Sequence, residues 1–365
     1  MFSKINFYLY KNYLIGLLII LLIFSILLLT GDLVENFRKS SAKEVPIKII
    51  FQLSLYNFPS LIYEAVPIII FFTYIFSTIR MVRSSEFTVL KSSGITNTSL
   101  LISPSILFFS FSVIFILTVN PLITVFHSKY EELNYKYIKQ VSKFAAISKN
   151  GIWLKQVNNE RNVSSILNSK NIEKEGEVLN NFMILEYNQK GSFTGRLNGE
   201  KAELKDGYWN LSNTTEYPRF AESKFYENLR YKTSIKYQDI SNSLIDPASI
   251  SIYELNEFIN LIEKLGYSAL DHKLEYYNLL ILPFLIFSLT LLANSLTLSL
   301  NHNDKLFGLL TMSICTIFLY YFIFNLLNAL ALSSKISPII AKILLPIILI
   351  LISFLIKFFS KKLTK

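Results

Sequence analysis

The side chains that most often carry enzyme chemistry are few and scattered in this sequence. Its three histidines, His127, His272 and His302, lie in different segments, and its single cysteine, Cys315, lies within a long apolar run. The sequence contains no G-x-x-x-x-G-K-[ST] phosphate loop, no G-x-S-x-G elbow and no H-E-x-x-H pair. We therefore expect no catalytic residue, no metal site and no cofactor, and we do not expect the chain to be an enzyme.

One short polar segment between two apolar runs carries an informative charge pattern. Residues 80–95 read R-M-V-R-S-S-E-F-T-V-L-K-S-S-G-I, so Glu86 is a lone acid among basic residues. The pattern predicts a helix that is capped by Ser84 or Ser85, has Glu86 in its first turn and is ended by Gly94. Two interpretations stay open: a plain interfacial helix anchored by its basic residues, or a coupling helix that docks in a groove on a cytoplasmic ATPase.

The runs on either side of such segments are long enough to cross a bilayer, which needs about 20 apolar residues. The predicted spans are residues 12–31, 61–79, 98–122, 278–300, 307–330 and 337–357. Because a charge in hydrocarbon is costly, the lack of intramembrane ionisable groups argues against a proton-driven carrier. Three amides within the spans, those of Asn294, Asn325 and Asn328, are expected to form hydrogen bonds between helices.

The charges that flank the spans predict their orientation. Only 16 of the 36 Lys and Arg residues and six of the 26 Asp and Glu residues lie outside residues 129–275, so the net charge of +10 belongs to the membrane part. With Lys4 and Lys11 placed in the cytoplasm, the cytoplasmic segments carry +8 and the opposite loops +2. The positive-inside rule then predicts that both termini are cytoplasmic and that the neutral middle lies outside.

The middle of the chain changes from helical to strand-like patterns. Lys129 and Lys136, with Lys139 beside them, fall on one stripe of a predicted helix. From Ala145 onward, turn signals at residues 149–151, 188–191, 198–199 and 205–207 separate short apolar segments. This spacing predicts an antiparallel meander that forms an open sandwich or jelly roll. A helix capped by Ser249 or Ser251 and stopped by Gly266 is predicted after it.

Motifs spread over nearly the whole chain resemble those of one family. They are Phe58 to Pro67, Arg83 to Thr96, Gly151 to Leu154, Ser251 to Gly266 and Glu275 to Pro283. The second of these follows the pattern R-x-S-E-[LI]-x-[AV]-[LM]-[RK]-[AS]-x-G-[VI]-[ST] of the LptF/LptG family, the permease subunits of the lipopolysaccharide export ABC transporter. The segment Asp32 to Lys39 is more similar to LptG than to LptF.

The resemblance implies a membrane α-helical fold of six transmembrane helices with an inserted periplasmic all-β jelly-roll-like domain. The expected domains are residues 1–128 as the first transmembrane half, 129–248 as a linker helix with the β domain, 249–275 as a connecting helix and 276–365 as the second half. The protein would lie in the bacterial inner membrane and serve outer-membrane biogenesis.

The resemblance also implies partners and a substrate. An LptF-like paralogous permease, an LptB-like ATPase dimer and an LptC-like membrane-anchored β-jelly-roll protein would work with this chain, and no nucleic acid is expected to bind. The complex would extract lipopolysaccharide from the inner membrane and pass it to a periplasmic bridge. Energy would come from the ATPase, because this chain has no nucleotide-binding motif of its own.

The resemblance assigns two groups of site residues. Those expected to couple to the ATPase are Arg83, Ser85, Glu86 and Gly94, with Glu86 inserted in the ATPase groove. Those expected to contact lipid phosphate at a periplasmic rim are Arg38, Lys39, Lys43, Lys129, Lys136 and Lys139. Arg binds a phosphate through a bidentate fork and Lys as a point charge. The alternative for these cations is snorkelling to ordinary headgroups.

Two other classes of protein remain as alternatives to a lipopolysaccharide permease. One is a mechanotransmission permease, which drives periplasmic partners without moving lipid. Such proteins usually have their large outer domain after the first span, whereas here it follows the third. The other is a membrane scaffold without transport activity, whose β domain only recruits partners.

Overall fold

A computed structural model describes most of the chain. The described residues are 2–41, 43, 45–92, 97–139, 145–148, 151–158, 161, 163–173, 178–188, 191–233, 246–264, 268–297 and 306–363. The chain divides into two compact units, one formed by Met1–Asn134 with Lys273–Lys365 and the other by Tyr135–His272. The first unit contains the long apolar helices, and the second contains a β-sheet.

The helices follow the apolar runs of the sequence. Their bounds are α1 Phe2–Ser40, α2 Ile47–Arg83, α3 Glu86–Ser92, α4 Asn97–Thr118, α5 Asn120–Leu133, α6 Ile252–Lys264, α7 Leu270–Thr297, α8 Leu306–Leu332 and α9 Pro338–Leu363. With 39 residues, α1 is roughly 58 Å long at 1.5 Å per residue. It is therefore longer than the hydrocarbon core, and its charged end can project beyond the membrane.

Within the described residues, five helices are long and apolar enough to cross a membrane, namely α1, α2, α7, α8 and α9. A sixth span exists if Ile102–Thr118 and Asn120–Ile138, which meet at an angle of 51°, are counted together. Pro121 lies at this break, and a proline inside a helix removes a backbone donor and bends the chain. The predicted membrane fold is confirmed, but the third span is bent where the sequence pattern predicted a continuous run.

Small and polar residues bring the membrane helices close together. A side chain at Gly16 of α1 would meet the hydroxyl of Ser77 on α2 at 2.0 Å, so the two backbones approach closely here. Nearby, the hydroxyl of Tyr13 lies 3.1 Å from that of Thr78. The amide of Asn294 on α7 donates to the Tyr74 hydroxyl at 2.6 Å, which confirms the interhelical bond predicted for that asparagine.

The second unit is a seven-stranded antiparallel sheet in which each strand pairs with its neighbours in the sequence. The strands are β1 Ala145–Ser148, β2 Gly151–Asn158, β3 Val163–Glu173, β4 Val178–Tyr187, β5 Phe193–Lys205, β6 Tyr208–Pro218 and β7 Lys224–Lys232. The inserted all-β domain is confirmed. Its strand order is that of the predicted meander, and the described strands show no crossed jelly-roll order.

The turn signals of the sequence are only partly turns. Asp206 and Gly207, with φ of 53° and 78°, form the β5–β6 turn, as expected for a primed hairpin. The predicted turn at Asn198-Gly199 is wrong, because both residues lie inside β5. A Cβ atom on Gly199 would lie 2.5 Å from the ring of Phe182. This glycine therefore accommodates a cross-strand aromatic ring and does not mark a turn.

The sheet is rolled so that strands β2 and β6 meet through their side chains. The indole nitrogen of Trp209 on β6 donates to Oε1 of Gln156 on β2 at 2.9 Å. In a flat sheet these strands, four positions apart in the order, would be separated by roughly 19 Å. Arg161, in the β2–β3 turn, contacts Glu216 on β6 at 2.8 Å. The apolar face, which includes the fully buried Leu167, is enclosed by this roll.

After the sheet, helix α6 forms as predicted. The backbone carbonyl of Ser251 accepts from Leu255 N–H at 2.9 Å, so the helix begins directly after Ser251. Leu255, Ile259 and Ile262 are buried on one face, in agreement with the helical period of the sequence. The predicted stop at Gly266 lies outside the described residues.

Candidate functional site

The predicted coupling segment forms a sharp corner between two helices. Helix α2 ends at Arg83 and α3 begins at Glu86. Ser85 between them has φ of 60°, an uncommon conformation for a residue with a side chain. Its carbonyl accepts from Val89 N–H at 3.2 Å. The Ser84 hydroxyl donates back to the Arg80 carbonyl at 3.1 Å, so the predicted side-chain cap by Ser84 is replaced by a bond to α2.

Glu86 lies close to residues from the start of α1. Its carboxylate is near the hydroxyl of Tyr8, which also lies near Asn12. A guanidinium nitrogen of Arg80 donates to Oδ1 of Asn12 at 2.6 Å. Polar side chains of α1 and α2 are therefore gathered beside the first residue of α3.

The outer side of this corner is exposed. Arg83 and Ser85 are exposed, Glu86 is half-buried, and Val89 exposes 64% of its surface although it is apolar. An exposed apolar side chain beside a half-buried carboxylate suits a protein partner better than bulk water. The fourth predicted coupling residue, Gly94, lies outside the described residues.

The cations expected to bind lipid at the end of α1 are partly neutralised by a neighbour. The guanidinium of Arg38 makes two bonds to the Glu35 carboxylate, from Nε at 2.8 Å and from Nη2 at 2.7 Å. Lys39 Nζ lies 3.5 Å from the same carboxylate. Of Glu35, Arg38 and Lys39, Arg38 is the most exposed, with 74% of its side-chain surface accessible. Lys43 follows in a turn, half-buried. The cluster offers one net positive charge from Glu35, Arg38 and Lys39.

The second set of predicted lipid cations does not form the regular stripe that the sequence pattern predicted. Lys129 is exposed on α5, with Nζ 5.8 Å from the ring centroid of Tyr56. The following residues, Asn134–Lys139, are π-helical, so the α-helical period of the lysines is not maintained. Lys136 is exposed beside Tyr137. The side chain of Lys139 lies outside the described part of the structure.

The expectation that the spans lack ionisable groups is wrong. Lys342, which the sequence analysis counted in a loop, lies in the second turn of α9 and is only 7% exposed. Glu275 and Tyr63 meet on neighbouring helices, with Tyr63 Oη donating to Glu275 Oε1 at 3.0 Å. The sequence signal for this site is a single lysine, Lys342, within a run that is otherwise apolar. An ionisable residue in such a run is a candidate functional residue.

A bundle of up to six candidate membrane spans with an inserted antiparallel β domain defines a multi-pass membrane protein. The sequence model of the lipopolysaccharide export system permease LptF/LptG matches residues 7–357 of the chain. The chain therefore belongs to the LptF/LptG family and is a permease component of the lipopolysaccharide export system, in the inner membrane. No curated protein matches the chain in a direct sequence comparison.

Proposed function

We propose that this chain is the LptG-like permease of an ABC transporter that extracts lipopolysaccharide from the inner membrane and passes it to a periplasmic bridge. A paralogous LptF-like permease completes the membrane unit, an LptB-like ATPase dimer supplies energy, and an LptC-like protein with its own β-jelly roll receives the lipid. The family match over residues 7–357 carries this proposal. The preference for LptG comes from the segment of residues 32–39 that follows the first span.

The exposed corner between α2 and α3 supports an ATPase as the energy source. Helix α3 is short and has an acid, Glu86, in its first turn. The acid lies at the positive end of the helix dipole, and the helix also exposes the apolar side chain of Val89. The bond from Arg80 to Asn12 joins the end of α2 to α1 beside α3. A partner bound at α3 would therefore contact the chain next to the ends of two membrane helices.

Charge supports the proposed orientation, with both termini cytoplasmic and the β domain periplasmic. The cytoplasmic segments of this arrangement carry +8. The opposite loops carry only +2, so the positive-inside rule favours this orientation.

The deciding experiment is purification of the tagged chain from native membranes in mild detergent. We expect an ATPase dimer and one paralogous permease to copurify, and we expect ATP hydrolysis by the reconstituted complex to increase when lipopolysaccharide is added. Copurification without lipid-dependent hydrolysis or lipid transfer would indicate a mechanotransmission permease. Recovery of the chain without any ATPase would indicate a scaffold and would contradict the proposal.

A further inference from the structure

The buried lysine of α9 is held by two other helices of the membrane unit. Its ammonium donates to Oδ1 of Asn278 on α7 at 3.4 Å and lies 4.4 Å from the ring centroid of Phe324 on α8. Lys342 is 7% exposed, and an ammonium at this depth is costly unless other groups compensate its charge. One amide oxygen and one aromatic face compensate it only in part.

The opposite charge belongs to Glu275, three residues before Asn278 and hence on the same side of α7. The two residues are connected through α2, because Asn278 Nδ2 donates to the Tyr63 hydroxyl oxygen at 3.4 Å and Tyr63 donates to Glu275 Oε1 at 3.0 Å. A continuous relay therefore runs from Lys342 through Asn278 and Tyr63 to Glu275. Exposed Glu64 adds a weaker, more distant negative charge beside it.

Stability alone does not account for this arrangement. Apolar side chains of similar volume would fill the same space without the cost of burying the Lys342 ammonium. Two of the three hydrogen bonds are 3.4 Å long, beyond the usual 2.7–3.2 Å range, so the relay is loosely held. The half-buried Glu275 carboxylate interacts electrostatically with the Lys342 ammonium.

The relay lies where the chain returns from the β domain to the membrane unit. Lys273 is the first residue of the membrane unit after the β domain, and Glu275 follows it by two positions. Tyr63 belongs to the first group of spans, whereas Asn278 and Lys342 belong to the last. The relay therefore couples the N-terminal parts of α7 and α9 to α2. Helix α2 comes from the other half of the sequence.

We propose that Glu275, Tyr63, Asn278 and Lys342 form a positioning element for transport. Movement of the Lys342 ammonium between Asn278 and Glu275 shifts α9 against α7 as the complex changes conformation. This inference rests on the proposed function only because lipid transport is one of the two measurements that test it. The relay residues act through helix position and need not touch the lipid.

Four variants of the complete complex test this inference. They are Glu275→Gln, Lys342→Met, the double neutral variant Glu275→Gln with Lys342→Met, and the charge swap Glu275→Lys with Lys342→Glu. Each single variant leaves one buried charge without its counter-charge, so the recovery of monodisperse complex should fall. The double neutral variant should restore recovery, because it leaves no uncompensated charge in the membrane.

The decisive readout is lipid transfer per recovered complex. We expect the double neutral variant to transfer lipid about fivefold more slowly or worse, a ratio at the lower end of typical conformational coupling, and the charge swap to regain transfer. A double neutral variant that transfers lipid at the wild-type rate would show that the pair is only structural and would overturn the proposal. So would single variants that behave as wild type in both readouts.

A matched control separates this effect from a general loss of charge. Lys335→Met removes an exposed cation just before α9 and should retain transfer. A double-mutant cycle on the purified chain alone measures the coupling of Glu275 and Lys342 without any transport assay. Its readout is the fraction of monodisperse protein that remains after heating.

If Glu275 and Lys342 are coupled but the wild-type complex transfers no lipid, the proposed function is refuted. If the two residues are not coupled, the relay is refuted.

Discussion

At the scale of single residues, the charged groups of this permease do not act as isolated charges. Arg38 and Lys39 share the Glu35 carboxylate, and Glu86 lies near the Tyr8 hydroxyl. A ligand or a partner protein that binds these side chains must displace or accommodate the neighbouring group. This arrangement provides matched variants, because the partner can be changed while the candidate residue stays intact.

Glu86→Ala is expected to weaken binding of the ATPase. Loss of one member of a buried charge pair at an interface typically costs about 2 to 5 kcal/mol, and Glu86 is the only acid of the corner. The measurement is ATPase copurification with the tagged chain, followed by lipid-stimulated hydrolysis. Tyr8→Phe is the control, since it removes the neighbouring hydroxyl and keeps the carboxylate. Normal copurification and hydrolysis by Glu86→Ala would refute this assignment.

The charge reversal Arg38→Glu with Lys39→Glu is expected to lower lipid capture several-fold without loss of folded complex. The residues are exposed, and a surface ion pair contributes little to stability, whereas two repulsive charges act against a phosphorylated headgroup. Lipid photocrosslinking per recovered complex is the measurement. Glu35→Gln frees both cations and should maintain or raise capture. Unchanged crosslinking at unchanged yield would identify Arg38 and Lys39 as ordinary membrane anchors.

At the scale of secondary-structure elements, close contacts decide where helices and strands can move. The approach of α1 to α2 at Gly16 and the rolled seam of the β-sheet both depend on a few side chains. The seam is held by side chains alone in the described residues. Arg161 contacts Glu186 and Glu216 there, and its guanidinium lies 5.6 Å from the ring centroid of Tyr231 on β7.

Gly16→Leu is expected to destabilise the membrane unit by about 1 to 3 kcal/mol, because the added side chain enters the space of Ser77 and forces the helices apart. Gly31→Leu, on the same helix with nothing within 4 Å of the added Cβ, is the matched control and should be tolerated. Thermal loss of monodisperse protein in detergent measures the difference. Equal midpoints for the two variants would show that the Gly16 contact does not limit packing.

The seam should make the β domain sensitive to pH through Glu186. Burial raises the pKa of this carboxyl above its ordinary value of 4.5, and the charge of Arg161 opposes the rise. The folded state therefore binds the proton more tightly than the unfolded state. The stabilisation from this group is complete below pH 4.5 and is lost as pH rises through the folded pKa.

Comparison with Glu186→Gln isolates this contribution. The stability of the wild type relative to the variant should decrease as pH rises from 4.5 to neutrality, since the glutamine does not titrate. Both tryptophans, Trp153 and Trp209, lie in the β domain, so tryptophan fluorescence during unfolding reports on this domain. A wild-type advantage that grows with pH would mean that the Arg161 charge outweighs burial.

At the scale of the whole molecule, two units with different surfaces are joined in one chain. The membrane unit exposes large apolar side chains, such as Phe307 and Phe318 on α8, as expected for contact with lipid or with another permease. In the β unit, β7 pairs on one side with β6, and no described strand pairs with its other side. An unpaired strand edge is a template for strand addition.

We expect the β7 edge to bind the β domain of a partner protein. Photocrosslinkers at Phe225 and Asn228, both exposed on β7, should capture another β-jelly-roll protein in intact cells. Glu200 is the control position, because it is exposed on β5, an interior strand that is paired on both sides. Strand addition relies on backbone hydrogen bonds, so side-chain replacement at the labelled positions should have little effect. Capture of lipid alone from the β7 positions would contradict the prediction.

The sequence by itself determined the spans, the short helix after α2, the family motifs and most of the β-hairpins, because these depend on local composition, period and turn chemistry. The Arg38–Glu35 pair is also local, three residues apart on one helix. The tertiary structure decided the rest. Tyr63 and Glu275 are 212 positions apart, and Gly199 faces Phe182 from a neighbouring strand. Such contacts depend on how helices rotate and how a sheet rolls, and these are set by packing between distant segments, which local sequence patterns do not encode.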